Sequence, residues 1–216
     1  AIIGHPRVSS IRIENCLGRA NDVNGYEVLS KLFAGANAFT LIDFERNGVK
    51  TAGGTAISDY IAKNASLRSL YLADNCLDDD DAVNIAKALR RNTNLGRIRL
   101  SGNSFTNVGV GALFKAIYDP SSLNSVSSCN HTVSVEDLEN EIPDPELRRN
   151  FPLHNKFDNK LFFAAQGQGN RGLKIYHLLS ERNLEGTNVR HLNLEVPETE
   201  EEEEGLKLVP HVFECV

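Results

Sequence analysis

Methionine is absent from all 216 residues. With no initiator, the expectation is that the chain opens partway through a longer polypeptide, any targeting peptide lying outside it. Long apolar runs are missing too: nothing approaches the roughly 20 consecutive apolar residues a membrane helix needs, so a membrane span is excluded. Basic charge is in short supply. The 23 Lys and Arg stand against 29 Asp and Glu, a formal net charge of −6, whereas a general nucleic-acid binder needs a basic face. Nucleic acid is therefore not an expected partner, and cationic partners are favoured. Cysteine is sparse, with Cys16, Cys76, Cys129 and Cys215 forming no CxxC pair; such usage fits free thiols in a reducing, cytoplasmic compartment. Two glycosylation triplets, Asn64-Ala65-Ser66 and Asn130-His131-Thr132, carry no weight in a chain so rich in asparagine.

What is present is a repeat. Phe39, Leu67, Leu95 and Leu123 stand 28 residues apart, and the columns after them share that period: Ile42, Leu70, Ile98, Val126; Phe44, Leu72, Leu100; Asn47, Asn75, Asn103; Val49, Leu77, Phe105. A further set, Leu29, Ile57, Ile85 and Leu113, precedes Phe33, Ile61, Leu89 and Ile117 by four residues each, the spacing of one helix face. Each unit therefore predicts a short strand, a turn and a returning helix. Within "LRSLYLADNCL", Leu70 and Leu72 alternate inward while Ser69, Tyr71 and Ala73 face out. At Asn75 the backbone turns into the interior, where an amide that both donates and accepts can satisfy the backbone of a neighbouring coil. An earlier coil fits Val8, Ile11 and Ile13, with Cys16 in the asparagine column; Val8 precedes Phe39 by 31 residues, which predicts three extra residues before its helix.

Residues 1–133 resemble the leucine-rich repeat family, pattern LxxLxLxxN/CxL, in its ribonuclease-inhibitor-like subtype of about 28 residues per unit. The resemblance implies an α/β solenoid with a curved parallel sheet inside and helices outside. Parallel strands stack about 4.8 Å apart and packed helices about 8–10 Å, so the strand side is concave. The array over 1–133 is expected to be truncated at its N-terminus, with Ala1-Ile2 in the last turn of a preceding helix. A fifth strand is expected in "LNSVSSCNHTV", with Ser128 in an inward leucine position and His131 in the asparagine position, as in a polar terminal coil. Residues 134–216 are expected to form a C-terminal cap with helices over 155–166 and 171–182, an acidic loop at Glu200 to Glu204, and a last segment begun by Pro210 that packs back.

Other motifs have plain explanations. Gly167, Gly169 and Gly172 spell GxGxxG, but fewer than 50 residues follow Gly167, too few for a nucleotide-binding sheet; glycines joining two cap helices explain them, and no cofactor is expected. Asp78 to Asp81 lack the alternation, glycine and closing glutamate of a calcium loop and suit a helix N-terminus. Cys129 and His131 would share a strand face, yet four metal ligands or an orienting third catalytic group are not in sight. Cys16 and Cys76 read as partly buried, inert thiols.

The outward strand positions are Ser10, Arg12, Glu14; Leu41, Asp43, Glu45; Ser69, Tyr71, Ala73; Arg97, Arg99, Ser101; and Ser125, Ser127, Cys129. They form a ribbon running from an acidic patch at Asp43 and Glu45, past Tyr71, to a basic patch at Arg97 and Arg99. Tyrosine and arginine dominate binding hot spots, so these five residues are the candidate partner-binding site; the plainer reading is cross-strand pairing of solvated charges. The protein is expected to be monomeric, and the family resemblance implies a non-enzymatic scaffold for a protein partner. Its alternative is a regulator of a small GTPase, by likeness to Ran GTPase-activating proteins, which also end in acidic tails.

Overall fold

The computed structural model describes residues 8–17, 24–35, 39–136 and the helical positions 171, 172, 174, 175, 178 and 179. Five strands, β1 (Ser10–Arg12), β2 (Leu41–Asp43), β3 (Ser69–Tyr71), β4 (Arg97–Arg99) and β5 (Ser134–Glu136), alternate with helices α1 (Gly25–Ala34), α2 (Ala56–Lys63), α3 (Asp79–Leu89), α4 (Asn107–Ile117) and the short α5 (Leu123–Ser127). The strands form one sheet in sequence order, every neighbour parallel. Helices returning between consecutive parallel strands make the array a solenoid. None of the helices among the described residues is long and apolar enough to cross a membrane.

The register matches the repeat columns. Ile11, Ile42, Leu70 and Ile98 pair in series, and Ile42, Leu70, Ile98, Phe44, Leu72 and Leu100 are at most 1% exposed. Burying each such side chain contributes about 1.5–3 kcal/mol relative to leaving it in water. The helix columns face them: Leu29, Ile57, Ile85, Leu113, Ile61, Leu89 and Ile117 are buried, while Phe33 is partly so and packs on the same core.

Asparagine stacking follows from backbone need. The Asn75 carbonyl accepts from the N–H groups of Asn47 and Val49 at 3.1 and 2.9 Å. Its NH2 donates to the carbonyls of Phe44, Leu72 and Ala73. Asn47 accepts in the same way from Cys16 and Leu17, and Asn103 from Leu77. Each asparagine therefore reaches back to satisfy the coil before it. The residue one before the ladder has a positive φ in every coil: Asn15 at 49°, Arg46 at 58°, Asp74 at 53° and Gly102 at 68°.

A second ladder turns each helix into the next strand. The Asn64 carbonyl accepts from Ser66 and Leu67 N–H, that of Asn92 from Asn94 and Leu95, and that of Asn130 from Thr132 and Val133. Asn130 is 4% exposed and its NH2 is engaged by the Leu89 and Asn92 carbonyls, so its glycosylation triplet is used up inside the fold.

The fifth strand departs from expectation. Arg97 pairs with Ser134, 37 residues on, because the chain inserts α5 where the period placed a strand. Val126 is a buried residue of that helix, and Val135 fills the inward strand position beside Ile98. Ser125 and Ser127 are therefore helical and Cys129 follows the helix; none lies on the sheet, and Ser134 and Glu136 take the outward positions. Ser128 and His131 likewise hold no strand or ladder position, the turn being made by Asn130. Cys16 and Cys76 are exposed rather than partly buried; Cys76 follows the asparagine-ladder position that the interior requires, which Asn75 fills.

The tetra-aspartate run is more specialised than a helix N-terminus requires. Asp78 and Asp81 form a capping box on α3, and the Thr51 hydroxyl of the preceding coil donates to Asp81. Asp79 reaches the next coil, accepting from the N–H groups of Thr106 and Gly109 at the start of α4. After β5 the described helical positions close the downstream side: Ile175 and Leu178 are buried in the core, and the buried Lys174 donates to the Ile117 and Asn130 carbonyls at 2.7 and 2.8 Å. The expected helix at 155–166, Gly167, Gly169, the acidic run at 200–204, the segment from Pro210, and Ala1-Ile2 lie outside the described residues.

Candidate functional site: the strand face

Register alone builds the strip. Arg12, Asp43, Tyr71, Arg99 and Glu136 occupy one row across the five strands, and Ser10, Leu41, Ser69, Arg97 and Ser134 the row before it. Hydrogen bonds from Asn15 to Glu45, Arg46 to Ala73 and Asp74 to Ser101 carry the parallel pairing on past the strands, which sets Glu45, Ala73 and Ser101 in a third row.

Arg99 ties the rows together. Its guanidinium donates to Glu136 at 2.7 and 3.1 Å and to Glu45 at 3.2 Å, and its central carbon stands 4.8 Å from the Tyr71 ring centroid, within cation–π range. The reach to Glu45 passes a coil in which the third-row residue is only Ala73, itself 3% exposed. Burial works against the Arg99 charge, but Glu136 and Glu45 outweigh it and hold its pKa above the ordinary arginine value. For Glu45 burial is the strongest influence and pushes the carboxyl up, Arg99 opposing and Asp43 reinforcing the shift.

The five sequence-derived residues thus divide. Glu45, Tyr71 and Arg99 form one contacting group. Arg97 is 65% exposed at its side chain and 4.0 Å from Glu136. Asp43 stands between Arg12 and Tyr71 in its row, 9% exposed, its carboxylate accepting a long bond from the Glu45 N–H at 3.4 Å. Below the strip, Arg46 pairs with Glu14 at 2.9 Å and Asp74 at 3.1 Å, all largely exposed. Glu136 was missed because the 28-residue period displaced the fifth strand. The signal that could have found it is Asn130-His131-Thr132-Val133, which repeats Asn64-Ala65-Ser66-Leu67 and Asn92-Thr93-Asn94-Leu95.

The thiol–imidazole pair has no reactive geometry. Cys129 is buried after α5, its Sγ 3.2 Å from the Ser125 carbonyl, and burial pushes its pKa up, away from the thiolate. His131 lies 3.2 Å from the Ser127 carbonyl, and burial holds its pKa below the usual value. Among the described residues no group of three or more His, Cys, Asp or Glu could hold a metal ion. Gly172 is helical.

A parallel sheet in sequence order, helices between its strands and asparagine ladders at its turns define an α/β solenoid of leucine-rich-repeat fold. The Leucine Rich repeat family model matches residues 63–86, which hold β3 and most of α3. The chain is also similar to human NACHT, LRR and PYD domains-containing protein 13, 38% identical over 94 residues, covering 43% of this chain and 8% of that protein; the chain thus spans a small part of that relative. A solved structure, the Leiomodin-1 Actin-Binding Site 2, is 11% identical at a TM-score of 0.47, over 88% of this chain and 91% of that one.

Proposed function

We propose that the protein is a non-catalytic, monomeric scaffold of the ribonuclease-inhibitor-like subtype that binds a protein partner on its concave strand face, in a reducing, cytoplasmic setting. The contact residues in this reading are Asp43, Glu45, Tyr71, Arg97 and Arg99. One observation carries it: Arg99 lies over Tyr71 and is fixed by carboxylates from coils on both sides. A tyrosine and an arginine held in place before binding lose little side-chain entropy on association, the quality that separates tight interfaces from merely large ones. The solenoid adds area at the same low ordering cost. Internal pairing of Arg99 is compatible with recognition, since its side chain stays 36% exposed.

Affinity capture with the intact protein, followed by titration of the captured partner, tests this reading. Tyr71→Ala and Arg99→Ala are each expected to weaken binding by about tenfold or more. Unchanged affinity in both variants would place the partner elsewhere.

A further inference from the structure

Among the described residues the concave face is short of one cation: Glu14, Asp43, Glu45, Asp74 and Glu136 stand against Arg12, Arg46, Arg97 and Arg99. Arg99 serves Glu45 and Glu136, and Arg46 serves Glu14 and Asp74. Asp43, on the second of the five strands and nine-tenths buried, has no ion pair among the described residues, where its one hydrogen bond is the 3.4 Å contact from Glu45 N–H. Arg12, its register partner on β1, is exposed and forms no ion pair with it. A carboxylate beside a second one in Glu45, with no cation against it among the described residues, is an acceptor left open for a cation from outside. Tyr71 is its register partner on the other side and offers a ring against which an alkyl stem or a guanidinium plane can lie.

We propose that Asp43 is the seat for a lysine or arginine side chain of the protein partner, which completes the charge on the strip with Tyr71 as one wall and Glu45 behind. This rests on the scaffold reading and adds the partner's chemistry to it: a segment with a basic anchor, drawn by a surplus of carboxylates over guanidinium groups along the second and third rows. The seat selects against an acidic anchor, which would meet Asp43 and Glu45.

The test is a selection of random dodecapeptides displayed on phage against the intact chain, with binders then synthesised and titrated. Binders weakened by Tyr71→Ala or Arg99→Ala are expected to share one Lys or Arg. Replacing that residue with Gln, or Asp43 with Asn, costs them about tenfold or more, and Asp80→Asn on the helix side leaves them unchanged. As a check independent of the stability of Asp43→Asn, Asp43→Lys should prefer the same peptide with its basic residue changed to Glu. Peptides that lose affinity in Tyr71→Ala or Arg99→Ala yet bind Asp43→Asn as before, or that carry no shared basic residue, overturn the cation seat and leave the scaffold standing. A selection with no binder sensitive to Tyr71 or Arg99 overturns both.

Discussion

From β2 through β4 the strands recur every 28 residues, Leu41 to Ser69 to Arg97, while the passage from β4 to β5 takes 37, Arg97 to Ser134. Both stretches nevertheless deliver a strand to the same sheet in the same parallel register. What they share is the turn: an asparagine whose carbonyl takes the N–H groups two and three residues on, followed by a fully buried apolar anchor. Leu67, Leu95 and Val133 fill that anchor position, each at most 1% exposed. Strand starts are thus specified by local turn chemistry and burial, and the distance between them is free to vary so long as the extra residues find their own packing. In the long unit α5 does so with a side-chain cap at Ser122 and one buried face.

The largest expected effect breaks or sharpens that comparison directly. Asn75→Ala would remove bonds to two N–H groups and three carbonyls. It leaves the N–H groups of Asn47 and Val49 and the Phe44 carbonyl without a partner, while the carbonyls of Leu72 and Ala73 keep Asn103 and Arg46. Asn130→Ala would remove bonds to two N–H groups and two carbonyls, of which that of Leu89 keeps the Asn92 N–H. At about 1 kcal/mol per lost bond, with more where a group stays dry, each substitution should cost about 3–4 kcal/mol, read as a lower urea midpoint at unchanged slope. If Asn75→Ala is that costly and Asn130→Ala costs less than about 1 kcal/mol, then the period, and not the turn, carries the specification.

The legible part of the fold was the part in which one column of residues obeys one period. Ile42, Leu70 and Ile98, and the ladder from Asn47 to Asn103, could be read because strand and helix columns agree on the spacing. Beyond Ile117 the two signals disagree. Leu123 and Val126 continue the apolar period by their spacing, yet they are also an i, i+3 pair, and Ser122 caps a helix just as well as it enters a strand. Hydrophobic spacing could not choose between them; the asparagine turn at Asn130 could. The same slip hid Glu136, so the strip was read as an acidic end facing a basic end. Its actual arrangement is a guanidinium clamped between carboxylates from both sides, a long-range pairing that no column reveals until the last strand is in register. The left-handed column was equally hidden, since Arg46 stands where Asn15, Asp74 and Gly102 would suggest a turn residue.

A smaller effect tests the closed downstream side against the regular coils, which bury no lysine among the described residues. Burial holds the Lys174 ammonium at about 8, the nearby Cys129 opposing the shift only weakly. In the unfolded chain it titrates near the usual lysine value of about 10.4. Between these two pH values the unfolded chain binds the extra proton, so stability rises as pH rises from about 8 to about 10, by at most about 3 kcal/mol. The neutral amine still has hydrogens for the carbonyls of Ile117 and Asn130, so raising the pH removes the charge without losing the contacts. Cys129 and Tyr60, both raised by burial, titrate in the alkaline range with the opposite sign. The informative quantity is therefore the difference between wild type and Lys174→Met in urea unfolding across that range, and a variant with the same pH slope as wild type would remove Lys174 as its source.

The smallest effect concerns the left-handed column, where the coils differ only in residue type. At Gly102 the φ is +68° and an added Cβ would lie 2.2 Å from the Asp74 carboxylate, which must then swing aside and loosen its 3.1 Å bond from Arg46. Gly102→Ala is expected to cost about 1–2 kcal/mol, most of it the left-handed penalty of a residue with a Cβ. Arg46→Gly runs the other way. It relieves the same penalty at φ 58° but gives up two exposed, solvent-screened ion pairs and loosens the unfolded chain, so its net change should be smaller than that of Gly102→Ala. Thermal unfolding of the two variants side by side separates backbone strain from charge: equal destabilisation by both would mean that the ion pairs of Arg46, and not its conformation, decide what that position requires.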